Sequence, residues 1–399
     1  MIKVKTIKLL VLILIVLLQS GCKITFLGRT EINKIEFIRV LGIDKSTEKE
    51  GYVRLTISTQ RIQAETSGDG SKNQSRIIVS EGKTVFEAVR NFWNYMDRKP
   101  FWGHIEYVLI GEEVAKDGIM KYIDFFCRDP EVRLDLRIYQ TRGCNAEEVI
   151  AKASSEERFI YDQLQGATEN QPGQSVLNVV DMVEVMYILD REYLCLYIPC
   201  LELQQKTKPT SKDNAMDITM GGFALFEGDK LAAHLDTEMG RGLNWLMNQV
   251  KTGIITVKSP KGNNISLEII ESNVKLKPAL SDGKLTVQVN AYVTANIAEV
   301  QGSEDVFTQE GVSYLEEQMQ EAVKNEIEAV IHFAQEKDMD FFSTGDAVFH
   351  RYPIQWEDEF EKKWKTVFSE VVFKVDVTPA ITGTYNISQP NRTKKEESP

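Results

Sequence analysis

The sequence predicts a multidomain α+β protein, a mixed α/β fold in which mixed or antiparallel sheets are flanked by helices. Strand-like and helix-like segments alternate through the first half of the chain. In the second half, apolar residues occupy every second position over 285–297, the pattern of a strand with one buried face. Apolar residues then recur at helical spacing over 315–334, opposite a charged face. These three patterns together predict sheets that are covered by helices.

The composition bounds the class of protein. The chain has 399 residues, a formal net charge of −12, five cysteines and four histidines. This length predicts two or three domains. The acidic balance argues against a broad electrostatic contact with nucleic acid, so we predict no nucleic-acid partner. Cysteines and histidines are too few for a disulfide-built scaffold or a multi-metal site.

The N-terminus has the features of a secretory signal. Lys3, Lys5 and Lys8 precede the unbroken apolar run 9–18. From Leu9 to Cys22 the chain has 14 uncharged residues, whereas a helix needs about 20 to cross a bilayer. We therefore expect residues 1–21 to be a signal peptide that is removed. Removal leaves 44 basic and 59 acidic residues, a net charge of −15.

Cys22 is the predicted site of lipid attachment. Gly21-Cys22 after such a run resembles a bacterial lipobox, in which the thiol takes a diacylglyceryl group, the leader is cut before the cysteine, and the new amine becomes a further acylation site. Gln19 stands where lipoboxes usually carry Leu. The alternative is an ordinary leader with an incidental Cys22, but Gln19 also fails its small-x-small rule. We expect a covalent lipid on Cys22, no cofactor, and a body on the extracytoplasmic face of the cell membrane.

Residues 22–154 are predicted to form an N-terminal α/β domain. Segments 36–42 and 52–60 alternate as two strands of a hairpin. Thr84 and Glu87 form a capping box that begins a helix. The remaining predicted elements are the strands 105–110 and 134–140 and the helices 112–126 and 146–153.

The rest of the chain divides into three predicted parts. Residues 155–205 are a helical connector or small middle domain, with helices over 156–165 and 176–189. A polar, aperiodic segment containing Pro209 separates it from a C-terminal α+β domain, 215–388. That domain is predicted to hold a hairpin (221–226 and 230–234), the strand and long helix described above, an aromatic helix over 356–368 and a closing strand over 371–377. Residues 389–399 are charged and are predicted to be a disordered tail.

No catalytic or metal-binding set is predicted, so we do not expect an enzyme. A Gly-x-Ser-x-Gly motif is absent, and no carboxylate is placed by sequence to orient His104 as a base. Cys195 and Cys200 lack a second ligand pair for zinc and are expected to be a buried or disulfide-linked pair. Asp338 and Asp340 offer too few oxygens for calcium and are expected on a solvated loop. Ligand-binding residues stay unassigned.

Several segments resemble one family, the C-subunit lipoproteins of bacterial spore germinant receptors. The most specific segment is a helix-to-strand corner over 124–133, which reads Asp-Phe-Phe-Cys-Arg-Asp-Pro-Glu-Val-Arg. The other segments are Glu31-Ile32-Asn33, Leu41-Gly42-Ile43-Asp44-Lys45, Gly82-Lys83-Thr84-Val85-Phe86-Glu87-Ala88, Gly103-His104, Ile110-Gly111-Glu112, Gly222-Phe223-Ala224-Leu225-Phe226, Asp340-Phe341-Phe342 with Gly345, and Trp356 with Trp364. These matches span about residues 22–385. The family often has Trp-Asp after the lipid cysteine, where this chain has Lys23-Ile24.

The resemblance implies a three-domain lipoprotein on the outer face of the spore's inner membrane. It implies a need for an A subunit and a polytopic, transporter-like B subunit in the response to nutrient germinants, and it implies no catalytic residues. The rival hypothesis is a solute-binding lipoprotein of an importer, which would show repeated βαβ units in two similar lobes. The alternating strand over 285–297 argues against that rival. The sequence leaves open which germinant is sensed and which surface meets the other subunits.

Overall fold

The computed structural model describes residues 31–60, 75–154, 159–170, 175, 178–204, 216–302 and 305–384. The signal peptide, Cys22, most of the polar segment around Pro209 and the tail 389–399 lie outside these residues, so the predictions for them stay predictions. No helix among the described residues combines the length and the apolar composition that crossing a bilayer requires.

The predicted α+β class is confirmed, because two sheets are flanked by helices. The strands are β1 (Ile35–Lys45), β2 (Val53–Gln60), β3 (Ser75–Gly82), β4 (Lys99–Phe101), β5 (Tyr107–Ile110), β6 (Arg137–Thr141), β7 (Val180–Asp181), β8 (Leu196–Gln204), β9 (Asp217–Glu227), β10 (Lys230–Leu235), β11 (Gly253–Lys258), β12 (Asn264–Ser281), β13 (Lys284–Val300) and β14 (Val372–Thr384). The helices are α1 (Val85–Asn91), α2 (Glu112–Asp117), α3 (Met120–Arg128), α4 (Ala146–Ala153), α5 (Ile160–Glu169), α6 (Met182–Leu189), α7 (Thr237–Leu246), α8 (Gln309–Glu336), α9 (Thr344–Arg351), α10 (Pro353–Gln355) and α11 (Trp364–Glu370).

The first sheet has the order β10-β9-β8-β6-β5-β1-β2-β3, with β4 beside β1 and β7 beside β6. The predicted hairpin is confirmed, since β1 and β2 pair antiparallel with Leu41 opposite Ile57. β1, β5, β6 and β8 are parallel neighbours. β8 comes from the predicted middle segment and β9 and β10 from the predicted C-terminal domain. The three-part division stays a prediction, and the sheet runs through all three parts.

The prediction of one helix over 112–126 is wrong. The chain forms α2 and α3 instead, separated by Gly118 at φ +108°. Asp229, in the β9–β10 turn, accepts a hydrogen bond from Ile119 N through its backbone carbonyl at 2.8 Å and one from Met120 N through its carboxylate at 3.2 Å. Asp229 therefore satisfies the first donors of α3 in place of a continuing helix.

The helix predicted over 176–189 is shorter than expected. Asp181 caps it by accepting from Glu184 N, and α6 begins only at Met182. Residues 180–181 instead pair with β6, because Val180 is buried opposite Ile138.

The second sheet has the order β11-β12-β13-β14. The alternation over 285–297 is confirmed, with Val287, Val289 and Ala291 buried on one face. The expected antiparallel arrangement holds for β12 and β13, whereas β14 pairs parallel to β13. The parallel pairing arises because the chain crosses back through α8–α11 before it returns as β14.

α8 covers both a face and an edge of this sheet. Its predicted apolar stripe is buried, and it places polar side chains along the outer edge of β14. Gln320 and Gln335 donate to the carbonyls of Val377 and Val371 at 2.8 Å, and Glu316 accepts from Ile381 N at 2.9 Å. These backbone groups are therefore already hydrogen-bonded to α8 and are not available to pair with another strand.

The aromatic helix predicted over 356–368 is broken into a π turn (Trp356–Phe360), a 3-10 turn (Glu361–Lys363) and α11. The four aromatic residues lie four apart, so on a regular α-helix each would rotate away from the one before. The wider π turn absorbs this rotation. All four side chains are buried as a result: Trp356, Phe360, Trp364 and Phe368.

Candidate functional site at the junction of the two sheets

The junction forms where the segment 190–195, which precedes β8, meets the loop 337–343 between α8 and α9. Cys195 N donates to the carbonyl of Asp340 at 2.9 Å. The ring of Tyr193 lies edge-on to Trp356, with centroids 4.7 Å apart. Residues from the two sheets belong to one continuous apolar core at this point. The junction is therefore a packed joint as well as the wall of a cleft.

Asp340 is the central polar group of the junction. Its carboxylate is 1% exposed and accepts from Thr344 N at 3.0 Å, Gly345 N at 2.6 Å and Trp364 Nε1 at 3.0 Å. The first two donors are at the start of α9, where backbone N–H groups lack helical partners. The expectation of a solvated loop is wrong for Asp340, because the carboxylate is used to begin a helix inside the core.

Gly345 is required by the packing around Asp340. A Cβ at this position would lie 2.8 Å from Tyr193 Cδ2 and 3.0 Å from both Trp356 Cη2 and Trp364 Nε1. The Asp340-Phe341-Phe342 segment, Gly345 and the two tryptophans are thus parts of one interlocked unit.

A group of polar contacts around Asp346, called the clasp below, joins α6 to α9. Tyr193 donates to Asp346 Oδ1 at 2.7 Å and Tyr187 donates to Oδ2 at 3.2 Å. Arg191 lies over the Tyr187 ring at 3.5 Å from its centroid and 3.8 Å from the Asp346 carboxylate. Burial, reinforced by the bond to Asp346, raises the pKa of Tyr193, so its hydroxyl stays a donor at neutral pH.

The cleft beside this clasp has a volume of about 900 Å³. Tyr193, Phe349, Trp356 and Trp364 form its aromatic floor. Acidic side chains outnumber basic ones among its lining, and Lys365 bridges it by an ion pair to Glu227. Burial raises the pKa of Cys195, also in the lining, to about 12, so its thiol is protonated at neutral pH and is a poor nucleophile.

A second buried carboxylate, Asp44, lies in the segment Leu41–Lys45. Asp44 is 3% exposed and accepts from Ala146 N at 2.9 Å and Glu147 N at 2.8 Å at the start of α4. Gly111 N donates to Ile43 O at 2.9 Å, and a Cβ on Gly111 would lie 2.0 Å from Asp44 Oδ1. The 41–45 and 110–112 segments are therefore adjacent because glycine leaves room for a buried carboxylate.

Stability is expected to depend on pH through Asp44. Burial raises its pKa from 3.8 to about 6 despite the two backbone hydrogen bonds. The folded state therefore binds this proton more tightly than the unfolded state, and the contribution to stability increases as the pH falls from 7 to 4. The increase is roughly 3 kcal/mol at full shift.

The test compares urea unfolding of the wild type and Asp44→Asn between pH 7 and 4. We expect the wild type to gain stability relative to the variant as the pH falls. Glu81, whose pKa is lowered to about 2 by its bonds to Ser46, Arg54 and Lys49, acts in the opposite direction in both proteins and cancels in the difference. A difference that stays flat with pH would contradict the assignment.

The remaining sequence-selected residues do not converge on the junction. His104 is exposed and packs against the rings of Phe37 and Phe101 at 4.9 and 5.4 Å. Cys195 and Cys200 are both free thiols rather than a disulfide. Cys200 and His234 both contact Gln140 Oε1 at 3.2 Å, but Cys200 is fully buried and burial raises its pKa.

No group of three or more His, Cys, Asp or Glu side chains among the described residues is placed to hold a metal ion.

Three carboxylates of the site were not predicted from the sequence. Asp44 and Asp340 accept from the first N–H groups of a helix, and Asp346 accepts from Tyr187 and Tyr193. For Asp340 the local sequence carries no capping signal, because it stands three residues before the N-cap Ser343, whereas a capping side chain stands at the N-cap itself.

Fold and site together define a two-sheet α/β protein whose motif carboxylates serve helix starts and the joint between sheets. Residues 28–203 match the family described as "Spore germination protein N-terminal domain", and 221–385 match "Spore germination B3/ GerAC like, C-terminal". The chain belongs to this GerAC-like family of spore germination proteins.

Individual relatives cover most of the chain. Spore germination protein B3 of Bacillus subtilis (strain 168) is 23% identical over 353 residues, or 87% of this chain and 91% of that protein. Spore germination protein KC of the same organism is 23% identical over 372 residues, or 88% and 90%. The crystal structure of the GerBC protein superposes with a TM-score of 0.54 at 18% identity, covering 86% of this chain and 96% of that one, and shares the fold.

Proposed function

We propose that this chain is the lipid-anchored C-type subunit of a spore germinant receptor, held by Cys22 at the outer face of the spore's inner membrane. It acts there by binding an A subunit and a polytopic B subunit rather than by catalysis. The observation that carries the proposal is the pair of family matches, which together cover 28–203 and 221–385.

The chemistry of the motifs supports a binding role. Asp44 and Asp340 are buried and bonded to backbone amides, so neither is presented to a substrate. Burial raises the pKa of the Cys144 and Cys195 thiols to about 11 and 12, which keeps them protonated at neutral pH. These groups stabilise the fold rather than react with a substrate, which supports a role in binding other subunits.

The test of anchoring and function is Cys22→Ala at the native locus of a strain without a redundant receptor. We expect spores of the variant to germinate slowly or not at all with one class of nutrient, and the variant to lack the lipid mass on its N-terminal peptide. Cys127→Ala, a half-buried free thiol elsewhere, is the matched control and should germinate normally. Normal germination of both the Cys22→Ala and the deletion strains would disprove the proposal.

The rival function, a solute-binding lipoprotein of an importer, is tested by calorimetric titration of the mature chain in detergent with amino acids and sugars. Tight stoichiometric binding would favour it. Two similar βαβ lobes, which that class predicts, are not what the described residues form, because the two sheets differ in strand number and order.

A further inference from the structure

One end of the first sheet is where the described chain enters the fold. β1 begins at Ile35, which pairs with Lys99 of β4. The 3-10 turn Phe92–Asn94 packs against both β3 and β4. The entry segment and this turn therefore lie at the same end of the sheet. We call Ile32, Lys34, Trp93, Tyr95 and Lys99 the tether-end surface.

The tether-end surface exposes large apolar groups. Ile32 is 60% exposed, Trp93 50% and Tyr95 59%. The neighbouring Phe92 is fully buried, with its ring 5.7 Å from that of Trp102. Because Phe92 anchors the turn in the core, Trp93 is directed to the outside. Exposed aromatic and aliphatic groups at one spot indicate a contact surface.

The charges at this end differ from those of the whole protein. Lys34 and Lys99 are exposed. The nearby acids are paired with bases: Glu31 lies 3.3 Å from Lys34, and Asp97 lies 3.1 Å from Arg76. The end is therefore not acidic, although the chain without residues 1–21 carries −15. An anionic surface would repel most of this protein and accept this end.

The distance to the predicted anchor is short. Eight residues lie between Cys22 and Glu31, which makes nine Cα-to-Cα steps, and an extended chain of nine steps spans at most about 30 Å. A bilayer that holds the Cys22 lipid is therefore within reach of the tether-end surface.

We propose that the tether-end surface rests in the headgroup region of an anionic bilayer, with Trp93 and Tyr95 at the level of the headgroups and Lys34 and Lys99 near the lipid phosphates. Aromatic residues with a polar edge favour this region, and lysines beside it are attracted by anionic lipid. The inference rests on the membrane anchoring proposed above, and it adds which face of the protein meets the lipid.

Bromine quenching tests this contact directly. The full chain is reconstituted in vesicles of phosphatidylcholine and phosphatidylglycerol, with or without bromine on the acyl chains. All five tryptophans are described, and Trp102, Trp245, Trp356 and Trp364 are buried, so brominated lipid can reach only Trp93. We expect brominated lipid to lower the emission of the wild type, and the quenching to be lost in Trp93→Phe.

A relocated tryptophan is the matched control. Tyr292 is 55% exposed on the second sheet. Adding Tyr292→Trp to Trp93→Phe restores one exposed indole, and we expect it to stay unquenched. Lys34→Glu with Lys99→Glu should reduce quenching of the wild-type tryptophan, whereas Lys275→Glu with Lys284→Glu, exposed on the second sheet, should not.

The outcomes separate the two proposals. Protein that floats with the vesicles but is not quenched contradicts the tether-end contact alone. Protein that neither floats nor is quenched contradicts the anchoring and the contact. Quenching of Trp93 supports the contact whether the end is held by lipid or by an uncleaved leader, and the mass of the N-terminal peptide distinguishes these two.

Discussion

Replacing Asp340 by Ala is expected to lower the free energy of unfolding by about 3–5 kcal/mol, because three buried N–H donors lose their acceptor inside the core. The donors are Thr344 N, Gly345 N and Trp364 Nε1. Two of them begin α9, and the third, from the first residue of α11, holds that helix against the loop. The loss should therefore loosen the joint between the sheets as well as one helix.

The matched control for this prediction is Asp236→Ala. Asp236 also caps a helix, accepting from Met239 N at 2.9 Å, but it is exposed. Water can replace its hydrogen bond, so the cost should be about 1 kcal/mol. Chemical unfolding monitored by tryptophan emission measures both variants. Equal losses in the two would show that Asp340 is an ordinary cap rather than the centre of the junction.

Gly222→Ala is expected to cost about 3–5 kcal/mol, since both the backbone conformation and the space exclude a side chain. Gly222 has φ +86°, and a Cβ would lie 2.2 Å from Leu235 O and 2.6 Å from the carbonyl of Asp236. These neighbours are backbone atoms at the end of β10, so they can yield only if the strand shifts. Such a shift would also displace Asp236 from the start of α7.

Gly228→Ala separates the two causes. Gly228 also has a positive φ, +57°, but a Cβ there would meet nothing within 4 Å. Only the conformational cost remains, and we expect a loss of about 1 kcal/mol. Thermal unfolding of the pair measures the difference. Equal losses of stability in the two variants would show that the close contact with Leu235 O adds nothing to the cost of the backbone conformation.

The largest errors of the sequence predictions occur where one segment contacts another that is distant in the chain. The helix over 112–126 is predicted as continuous because its apolar spacing is regular, yet Asp229 ends one helix and begins the next. Asp340 is expected on a solvated loop because, together with Asp338, it follows the end of the long helix, yet Trp364 and the α9 amides surround it. Local patterns carry no information about a partner more than a hundred residues away, such as Asp229. They also do not show that the indole of Trp364, which follows in the chain, folds back onto Asp340.

The sequence by itself determined the class of fold, the alternation of β13, the apolar stripe of α8, and the family through its short motifs, because periodicity and turn chemistry are local properties. Only the tertiary structure decided what those motifs do. It shows that β14 returns parallel to β13 and that Asp44 and Asp340 are buried helix starts. It also shows that Gly111 leaves room for Asp44, and Gly345 for the rings of Tyr193, Trp356 and Trp364. Burial and close packing arise between segments, so they are set by the assembled fold rather than by any one stretch of the chain.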